Sequence, residues 1–381
     1  MGRSGNIIVA RSPTVVKVGG SILKPGEVDK VVEKVIERHL MDRDGLIMVV
    51  SAMKGVTDML INAYDRGDAS LLSNAVDLYV AEAERMGIRG ISNTLSMIKG
   101  RLINMLNVKE PWVKDLISVQ GELMSVMLIH GLLRELGIDV EAVYDPGIVT
   151  DDNWGNARVL GVSSYYVKSR LSWALSRSSV VIAPGFLGYT IEGRLTSLGR
   201  GGSDYTASLI ASYMGARALY FYTDVEGILT GDPRLMEGVK VVPTLSHSEA
   251  YMASVAGAKK FHPNTFKPLL ESEVKAIVTS PWSTKGTVIE STCINAPKLV
   301  SVSEASKLNL NIGDGYAVTV VGCIMANEDA RKVFYEIALS YNSSGVVYDS
   351  AGNGAVSIVK DQDDAVKLAK EYHRWVVSWI G

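Results

Sequence analysis

The apolar positions of the first part of the chain follow two alternating patterns. Short, largely β-branched runs occur in TVVKVGG, GLIMVVSAM and SSVVIAPGF, with little alternation between apolar and polar residues. Between the first two runs lies VDKVVEKVIERHLMD, where apolar residues recur at three- and four-residue spacing. Strands without polar alternation are typical of a parallel sheet that helices cover on both faces. The pattern therefore predicts an α/β fold with an open, mostly parallel sheet sandwiched by helices.

A helical pattern interrupts these strands between about residues 57 and 136. Its segments DASLLSNAVDLYVAEAERMG and ISNTLSMIKGRLINMLN carry apolar residues at helical spacing. The strand pattern returns in IDVEAV, which is bounded by Gly137 and Pro146. We therefore predict a mainly helical insertion that covers the sheet.

The rhythm of the chain changes near Lys298. Five short apolar runs, KLVSVSE, LNLNI, YAVTVVG, GVVYDSA and GAVSIVK, then alternate with two helical segments, and Asn327 and Asp361 stand where the helix N-caps belong. This alternation predicts a small α+β unit. We therefore predict a first domain at residues 1–296 and a second at 297–381.

Composition and charge favour a globular protein. The 381 residues are 47% hydrophobic, and 39 Lys and Arg residues nearly balance 41 Asp and Glu residues, so no broad positive field favours nucleic acid or a membrane surface. The beginning of the chain lacks an apolar leader pattern, and no apolar run approaches the roughly 18 residues of a membrane span. Cys293 and Cys323 are too few for a disulfide framework or a zinc site. We expect a cytoplasmic protein.

The segment TSLGRGGSDYTA, residues 196–207, is the strongest chemical signal in the sequence. Its three glycines allow backbone N–H groups to approach an anion closely, and Arg200 can form a bidentate contact with a carboxylate or phosphate. Asp204 opens the helical pattern that follows. This arrangement predicts an anionic ligand between a strand and a helix.

Two further motifs have both a functional and a structural interpretation. Lys17, with Gly19, Gly20 and Ser21, stands at the end of the first strand, where an open parallel sheet binds ligands, although an ordinary strand-to-helix turn explains the same residues. Glu122 opens an otherwise apolar helix, either as a solvated residue that complements the helix dipole or as a carboxylate that binds a substrate ammonium group.

The segment YFYTDVEGILTGDPRL runs from a strand into a loop rich in turn-forming residues. The loop is suited to a nucleotide, and it also suits a plain surface turn. GAKKFHPNTFKPLL adds basic residues and His262, to which we assign no catalytic role. We find no catalytic triad, metal-spaced histidines or catalytic cysteine in the sequence, so positioning and charge neutralisation are the chemistry left, as phosphoryl transfer requires.

These motifs, in this order, resemble those of aspartate kinases, which belong to the amino acid kinase family. The matching pieces span about residues 14–280: KVGGS, VVSAMKGVTD, QGE, PGFLG, TSLGRGGSDYTA, YTDVEGILTGDPR and SHSEAYMASVAGAKKFHP. The resemblance implies transfer of the ATP γ-phosphate to the side-chain carboxylate of L-aspartate, giving 4-phospho-L-aspartate for lysine, threonine and methionine synthesis. It implies ATP and Mg2+ as cofactors, with few protein ligands to the metal. The acceptor carboxylate is ionised at neutral pH, so the reaction needs no general base.

The resemblance also implies a role for each site residue. Lys17 and Asp204 would be catalytic. Lys17 would bridge the transferring phosphoryl group, and Asp204 would orient Lys17 or other groups at the reacting centre. Four residues would bind the substrate: Thr57, Glu122, Arg200 and Ser203. The nucleotide would be bound by Lys17, Gly19, Gly20, Ser21, Thr223, Asp224, Asp232, Arg234 and Lys259.

Two features depart from the aspartate kinase pattern. Ile22 follows Ser21 where these enzymes usually have a threonine and serine pair. Their regulatory tail commonly has two ACT domains, whereas the residues after Lys298 have material for only one ferredoxin-like unit of this type, with the predicted order βαββαβ. A single ACT unit would pair across subunits, which implies a homodimer or larger assembly with a possible amino acid effector. Two alternatives stay open: a kinase for glutamate, acetylglutamate or a small phosphonate, and an amino-acid sensor without catalysis.

Overall fold

The computed structural model describes residues 12–40, 44–257, 261–308 and 315–379. The chain divides into two compact units, Met1–Leu219 and Tyr220–Gly381. This division falls at a different place from the predicted boundary after residue 296, which stays a prediction.

Unit 1 contains a parallel sheet of four strands in the order β3-β4-β2-β1. Its central strands are fully buried, which explains why their sequences lack polar alternation. The strands, with a short antiparallel hairpin of β5 and β6, are β1 (Thr14–Val18), β2 (Leu46–Val50), β3 (Val140–Ala142), β4 (Val180–Pro184), β5 (Leu187–Tyr189) and β6 (Leu195–Ser197).

Helices supply the rest of unit 1, and five consecutive helices fill the region predicted to be a helical insertion. The first helix buries its valines on one face, as its spacing predicts. The helices are α1 (Val28–His39), α2 (Val56–Arg66), α3 (Ala69–Arg85), α4 (Ile91–Met105), α5 (Pro111–Ser118), α6 (Gln120–Glu135), α7 (Ser163–Arg177) and α8 (Gly202–Met214).

The stretch Pro111–Glu135, which comprises α5 and α6, is long and apolar enough to cross a membrane by length and composition alone. In the structure, 67% of the apolar 18-residue window within this stretch is buried inside the protein, as in the core helix of a folded domain.

Unit 2 begins with a mixed group of strands in the order β7-β9-β10-β8, where β10 pairs parallel with β8 and antiparallel with β9. Two helices accompany them. The elements are β7 (Ala218–Tyr222), which starts just before the division, β8 (Thr244–Ser246), α9 (His247–Val255), α10 (Pro263–Ser272), β9 (Ala276–Thr279) and β10 (Thr287–Glu290).

The rest of unit 2 is an antiparallel four-stranded sheet with two helices, as predicted for a small α+β unit. The side chains of Asn327 and Asp361 accept backbone N–H groups at the starts of these helices, which confirms both predicted N-caps. The elements are β11 (Leu299–Glu304), β12 (Tyr316–Val321), α11 (Glu328–Ser340), β13 (Gly345–Tyr348), β14 (Gly354–Val359) and α12 (Gln362–Trp379).

The order of these elements along the chain is ββαββα, which differs from the predicted βαββαβ. The sheet order is β11-β12-β14-β13, and β11 pairs with β12 along its whole length, from Leu299 opposite Val321 to Glu304 opposite Tyr316. The first strand of this unit, β11, therefore occupies the edge of the sheet beside β12. The predicted order had placed a final strand after the second helix instead. Most of the predicted run LNLNI lies outside the described residues.

Glu249 is a fully buried carboxylate in unit 2 whose two oxygens are both engaged. One oxygen accepts from the Ser246 N–H (2.7 Å), which forms the capping box of α9, and from the Lys298 Nζ (3.2 Å). The other accepts from the backbone N–H of Cys323 (2.8 Å). Lys298 is equally buried, so each charge has its partner within the core.

Cys293 and Cys323 are joined as a disulfide, with their Cα atoms 6.4 Å apart. Two cysteines were too few to predict a disulfide framework, and this pair was not foreseen because the fold, not the local pattern, brings two distant cysteines together. Together with Glu249 these sulfurs form a group close enough to share a metal ion, but the Glu249 oxygens already accept hydrogen bonds.

Removal of the Glu249 carboxylate should destabilise the protein strongly. In Glu249→Ala the Lys298 ammonium stays buried without a counter-charge, and the capping of α9 is lost, so we expect a loss of at least about 3 kcal/mol in the free energy of unfolding. Calorimetric or urea unfolding measures this loss. Glu304→Ala is the control, because Glu304 forms an exposed pair with Lys307 and its removal should cost less than about 1 kcal/mol. Equal losses in the two variants would contradict the assignment.

Candidate active site

Three parallel strands of unit 1 end at the same level, and the candidate site lies beyond their ends. Val18 of β1 is paired in register with Val50 of β2, and Val50 is paired with Pro184 of β4. The residues after each strand therefore meet at one edge of the sheet, where ligands bind in open parallel sheets.

A cleft of about 860 Å3 opens at this edge, and all its lining residues belong to unit 1. Most of the residues predicted for the site in this unit line it: Lys17, Gly20, Ser21, Thr57, Glu122, Arg200, Ser203 and Asp204. Gly19 is buried beside them and is not part of the lining.

Lys17 and Asp204 form an ion pair across the cleft, with 2.7 Å between Nζ and Oδ1. Lys17 comes from the end of β1 and Asp204 from the first turn of α8, so the pair joins the strand edge to the start of that helix. The two side chains are only 12% and 16% exposed, and their attraction is less screened than that of a surface pair. The carboxylate fixes the position of the ammonium group in the cleft.

The glycine-rich segment passes from β6 to α8 with two glycines in the left-handed region. Gly199 has φ 71° and Gly201 has φ 75°, conformations that favour glycine. Arg200 lies between them, is exposed at the cleft, and makes no ion pair with any residue that the structure describes. Its guanidinium is therefore available to an anionic ligand.

Phe186 also lines the cleft and has a positive φ of 69°, which is unusual for a bulky residue. Gly202 is closely packed against it, since a Cβ on Gly202 would lie 2.8 Å from the Phe186 ring. Gly185 is likewise packed on Ser203, because its Cβ would lie 2.8 Å from the Ser203 Cα. The segment after β4 and the start of α8 are thus in direct contact.

Glu122 is 3% exposed, so the interpretation as a solvated residue at a helix start is wrong. Gly121 makes this burial possible, because a Cβ there would lie 2.5 Å from the Ala52 Cβ and would push α6 away from the segment after β2. Burial raises the pKa of Glu122 to about 8, although a backbone hydrogen bond from Ala52 and the charge of Lys17 oppose the shift. Among the residues that the structure describes, its Oε2 atom has no hydrogen-bond partner. A buried acceptor in this state favours a cationic ligand.

The predicted nucleotide residues of unit 2 lie outside this cleft lining. Thr223 donates to the Asp224 carboxylate (3.0 Å), and the exposed Arg234 is paired with Asp232, with 2.6 Å between Nη2 and Oδ2. Their assignment to a nucleotide stays a prediction. Lys259 lies outside the described residues.

Several residues that line the cleft were not predicted as site residues from the sequence. Asp115 is the most notable, because it is a charged side chain that is only 2% exposed. A carboxylate within the mostly apolar PWVKDLISV was the available signal. The others include Ser51, Lys54, Lys114, Phe186 and Ser197.

Comparison with known proteins identifies the family. The model of the Amino acid kinase family matches residues 12–280, and the chain belongs to this family. An aspartokinase from Thermus thermophilus is 33% identical over 204 residues, which span 52% of this chain and 49% of that protein. The chain thus matches about half the length of that relative.

Two solved structures of Escherichia coli aspartokinase III have the same fold. The complex with aspartate and ADP has a TM-score of 0.80 at 20% identity, and covers 96% of this chain and 99% of that one. The complex with lysine and aspartate has a TM-score of 0.76 at 21% identity over the same shares of the two chains. These similarities confirm the predicted fold class, with its mostly parallel sheet, flanking helices and small antiparallel sheet.

The raised pKa of Glu122 predicts a pH-dependent stability difference between the ligand-free protein and Glu122→Gln. The folded state favours the protonated carboxyl, whereas the unfolded chain ionises near 4.5, so wild-type stability falls as pH rises from about 4.5 to about 8. Glu122→Gln is neutral throughout, and each pKa unit corresponds to about 1.4 kcal/mol. We expect its Tm advantage over the wild type to grow across this range and then level off.

Scanning calorimetry without ligands measures this difference at several pH values. Glu135→Gln, at the exposed far end of α6, is the control and should shift Tm by the same small amount at every pH. A Glu122→Gln advantage that does not change with pH would contradict the burial of an ionisable group.

Proposed function

We propose that this protein is an aspartate kinase, which transfers the γ-phosphate of ATP to the side-chain carboxylate of L-aspartate. The observation that carries the proposal is the buried Glu122, whose Oε2 has no partner within the described part of the chain, in the same cleft as Arg200, which has no ion pair there either. A free amino acid offers an ammonium group to the first and a carboxylate to the second. The family, and the aspartate and ADP bound in the aspartokinase III structure, support the same substrate class.

The acceptor would be oriented by its own charges. Glu122 would release its proton when the substrate ammonium takes the place of that proton as its partner, and Arg200 would bind the α-carboxylate in a bidentate contact. Thr57 and Ser203 line the same cleft and would donate hydrogen bonds to the same ligand. The side-chain carboxylate would then be the nucleophile, and it needs no general base because it is already ionised.

The phosphates would be bound near the end of β1. A Cβ on Gly20 would lie 2.8 Å from the Ala52 carbonyl oxygen, so only glycine fits this position. The turn after β1 would bring the backbone N–H groups of residues 19–21 to the phosphates. Lys17 would neutralise the charge that builds up between the two anions, and Asp204 would hold that ammonium group in line. ATP therefore suits the residues present.

Mg2+ would lower the charge of the phosphate oxygens when it is bound with ATP. Three carboxylates that line the cleft have other roles in this proposal: Asp204 is paired with Lys17, Asp115 accepts backbone N–H groups, and Glu122 would bind the substrate ammonium. The metal would accordingly be held mainly by the nucleotide. Phosphorylation of L-aspartate would then be the first step in the synthesis of lysine, threonine and methionine.

The proposal extends to assembly and regulation through the antiparallel sheet of unit 2. We infer an ACT-type unit that pairs between subunits of a homodimer and binds an amino acid effector, because the described residues contain one four-stranded antiparallel sheet of this type and ACT units usually pair their sheets. The aspartokinase III complex with lysine is the supporting comparison for an effector of this class. A cytoplasmic location belongs to the same proposal.

Acyl phosphate trapping tests the acceptor directly. The protein is incubated with ATP, Mg2+ and hydroxylamine, and with L-aspartate, L-glutamate or N-acetyl-L-glutamate in parallel. We expect hydroxamate from L-aspartate and none from the acetylated acid, whose nitrogen carries no charge for Glu122. Product from glutamate alone would assign another amino acid kinase activity, and no product from any acid would favour a binding protein without catalysis.

Loss of the Arg200 guanidinium should weaken use of aspartate selectively. In Arg200→Ala we expect kcat/KM for L-aspartate to fall by a factor that corresponds to about 2–4 kcal/mol of lost transition-state stabilisation, while the KM for ATP changes little. Arg200→Lys is the matched variant, since it keeps the charge but loses the bidentate geometry, and its effect should be intermediate. An unchanged kcat/KM in Arg200→Ala would exclude this residue from the substrate site.

A further inference from the structure

Asp115 is a buried carboxylate in the wall of the cleft that the proposed chemistry leaves unused. It lies in α5 and is 2% exposed, and burial raises its pKa against the effect of its hydrogen bonds. A charged side chain at such a position costs free energy unless its contacts are specific. Its contacts therefore indicate its role.

All three contacts of the Asp115 carboxylate are made with groups that donate to it. Its Oδ2 accepts from the backbone N–H groups of Ser197 (2.7 Å) and Gly155 (3.0 Å), and its Oδ1 accepts from the Ser197 hydroxyl (3.0 Å). These donors come from two segments that are far from α5 in the sequence. One carboxylate thus joins three parts of unit 1.

The two segments that Asp115 joins are also closely packed on each other. The Ala157 N–H donates to the Ser197 carbonyl oxygen (2.9 Å), and a Cβ on Gly199 would lie 2.7 Å from the Asn156 side chain. The glycine-rich segment therefore has a firm support on this side only while residues 155–157 stay in place. Asp115 holds both segments, because it accepts hydrogen bonds from Gly155 and from Ser197.

Ser197 is the last residue of β6, directly before the segment that carries Arg200 and Ser203. Asp115 lies in α5, which ends directly before α6, the helix that carries Glu122. The carboxylate consequently links the two elements that would bind the opposite charges of an amino acid. A shift of one relative to the other would change the spacing of the two binding groups.

We propose that Asp115 is a positioning residue that sets the distance between the Arg200 segment and the Glu122 helix, and so determines affinity for the amino acid substrate. This inference rests on the proposed function, because it assigns the two ends of the substrate to those elements. Asp115 acts through the backbone of Ser197 and Gly155 and takes no part in phosphate binding.

Kinetic constants of two Asp115 variants test the proposal. In Asp115→Ala the KM for L-aspartate should rise by roughly tenfold to a hundredfold, because small displacements of binding groups have effects of this size. The kcat and the KM for ATP should each change by less than about threefold, since the nucleotide groups keep their own supports. Asp115→Asn should restore a KM near the wild type, because its amide oxygen can accept both backbone N–H groups and its amide nitrogen can donate to the Ser197 hydroxyl.

Asp68→Ala is the control for a loss of stability alone. Asp68 also accepts two backbone N–H groups, from Ser70 and Leu71, but it caps α3 at the surface and does not line the cleft. It should lower Tm and leave the KM for L-aspartate unchanged. A KM for L-aspartate that is the same in Asp115→Ala and the wild type would overturn the proposal, even if Tm falls.

A third variant decides the matter if Asp115→Ala does not fold. Ser197→Ala removes one of the three contacts and should raise the KM for L-aspartate by about threefold, and an unchanged KM in this variant would overturn the proposal. The thermal shift produced by L-aspartate provides a readout without turnover. A wild-type protein that neither binds nor phosphorylates L-aspartate would refute the proposed function itself, whereas normal wild-type behaviour with unaffected variants would refute only the role of Asp115.

Discussion

The level ends of the parallel strands β1, β2 and β4 are the constraint on which the candidate site depends. Their register brings Lys17, the segment after Val50 and the turn after Pro184 to one edge, although these residues are far apart in the sequence. Helices that pack on the sheet then add Glu122 and Asp204 at the same edge. A shift of one residue in this register would turn each side chain to the opposite face of the sheet and separate the site.

Close contact between elements converts this shared edge into a defined cleft. Gly121 allows the start of α6 to touch Ala52, and Gly185 allows the turn after β4 to touch Ser203. Each glycine stands where a Cβ would meet atoms of another element, so each is required by packing between segments and not by local flexibility. The site residues are held by the core of unit 1, while Arg200 alone stands on an exposed segment between two glycines.

Local pattern predicted much of the fold and a good part of the site. The β-branched runs, the helical spacing and the N-caps Asn327 and Asp361 are properties of neighbouring residues, and the structure agrees with them. The position of β11 beside β12 is a different matter, because βαββαβ and ββαββα contain similar elements and only the pairing of distant residues distinguishes them. The same limit applies to Glu122, whose burial depends on what packs over the start of α6, and to Asp115, whose partners lie about 40 and 80 residues away.

Carboxylates of the same cleft differ in what they can do because their surroundings differ. Asp204 already has a cation in Lys17, and Asp115 is satisfied by backbone and hydroxyl donors. Glu122 is buried with one oxygen unpartnered and a pKa raised to about 8, so among these three it is the group that gains most from a new cation. A ligand with both an ammonium group and a carboxylate would satisfy Glu122 and Arg200 together. An acylated amine would leave Glu122 protonated and without a partner. If the proposed function holds, selectivity for a free amino acid would therefore follow from the charge state of one buried side chain.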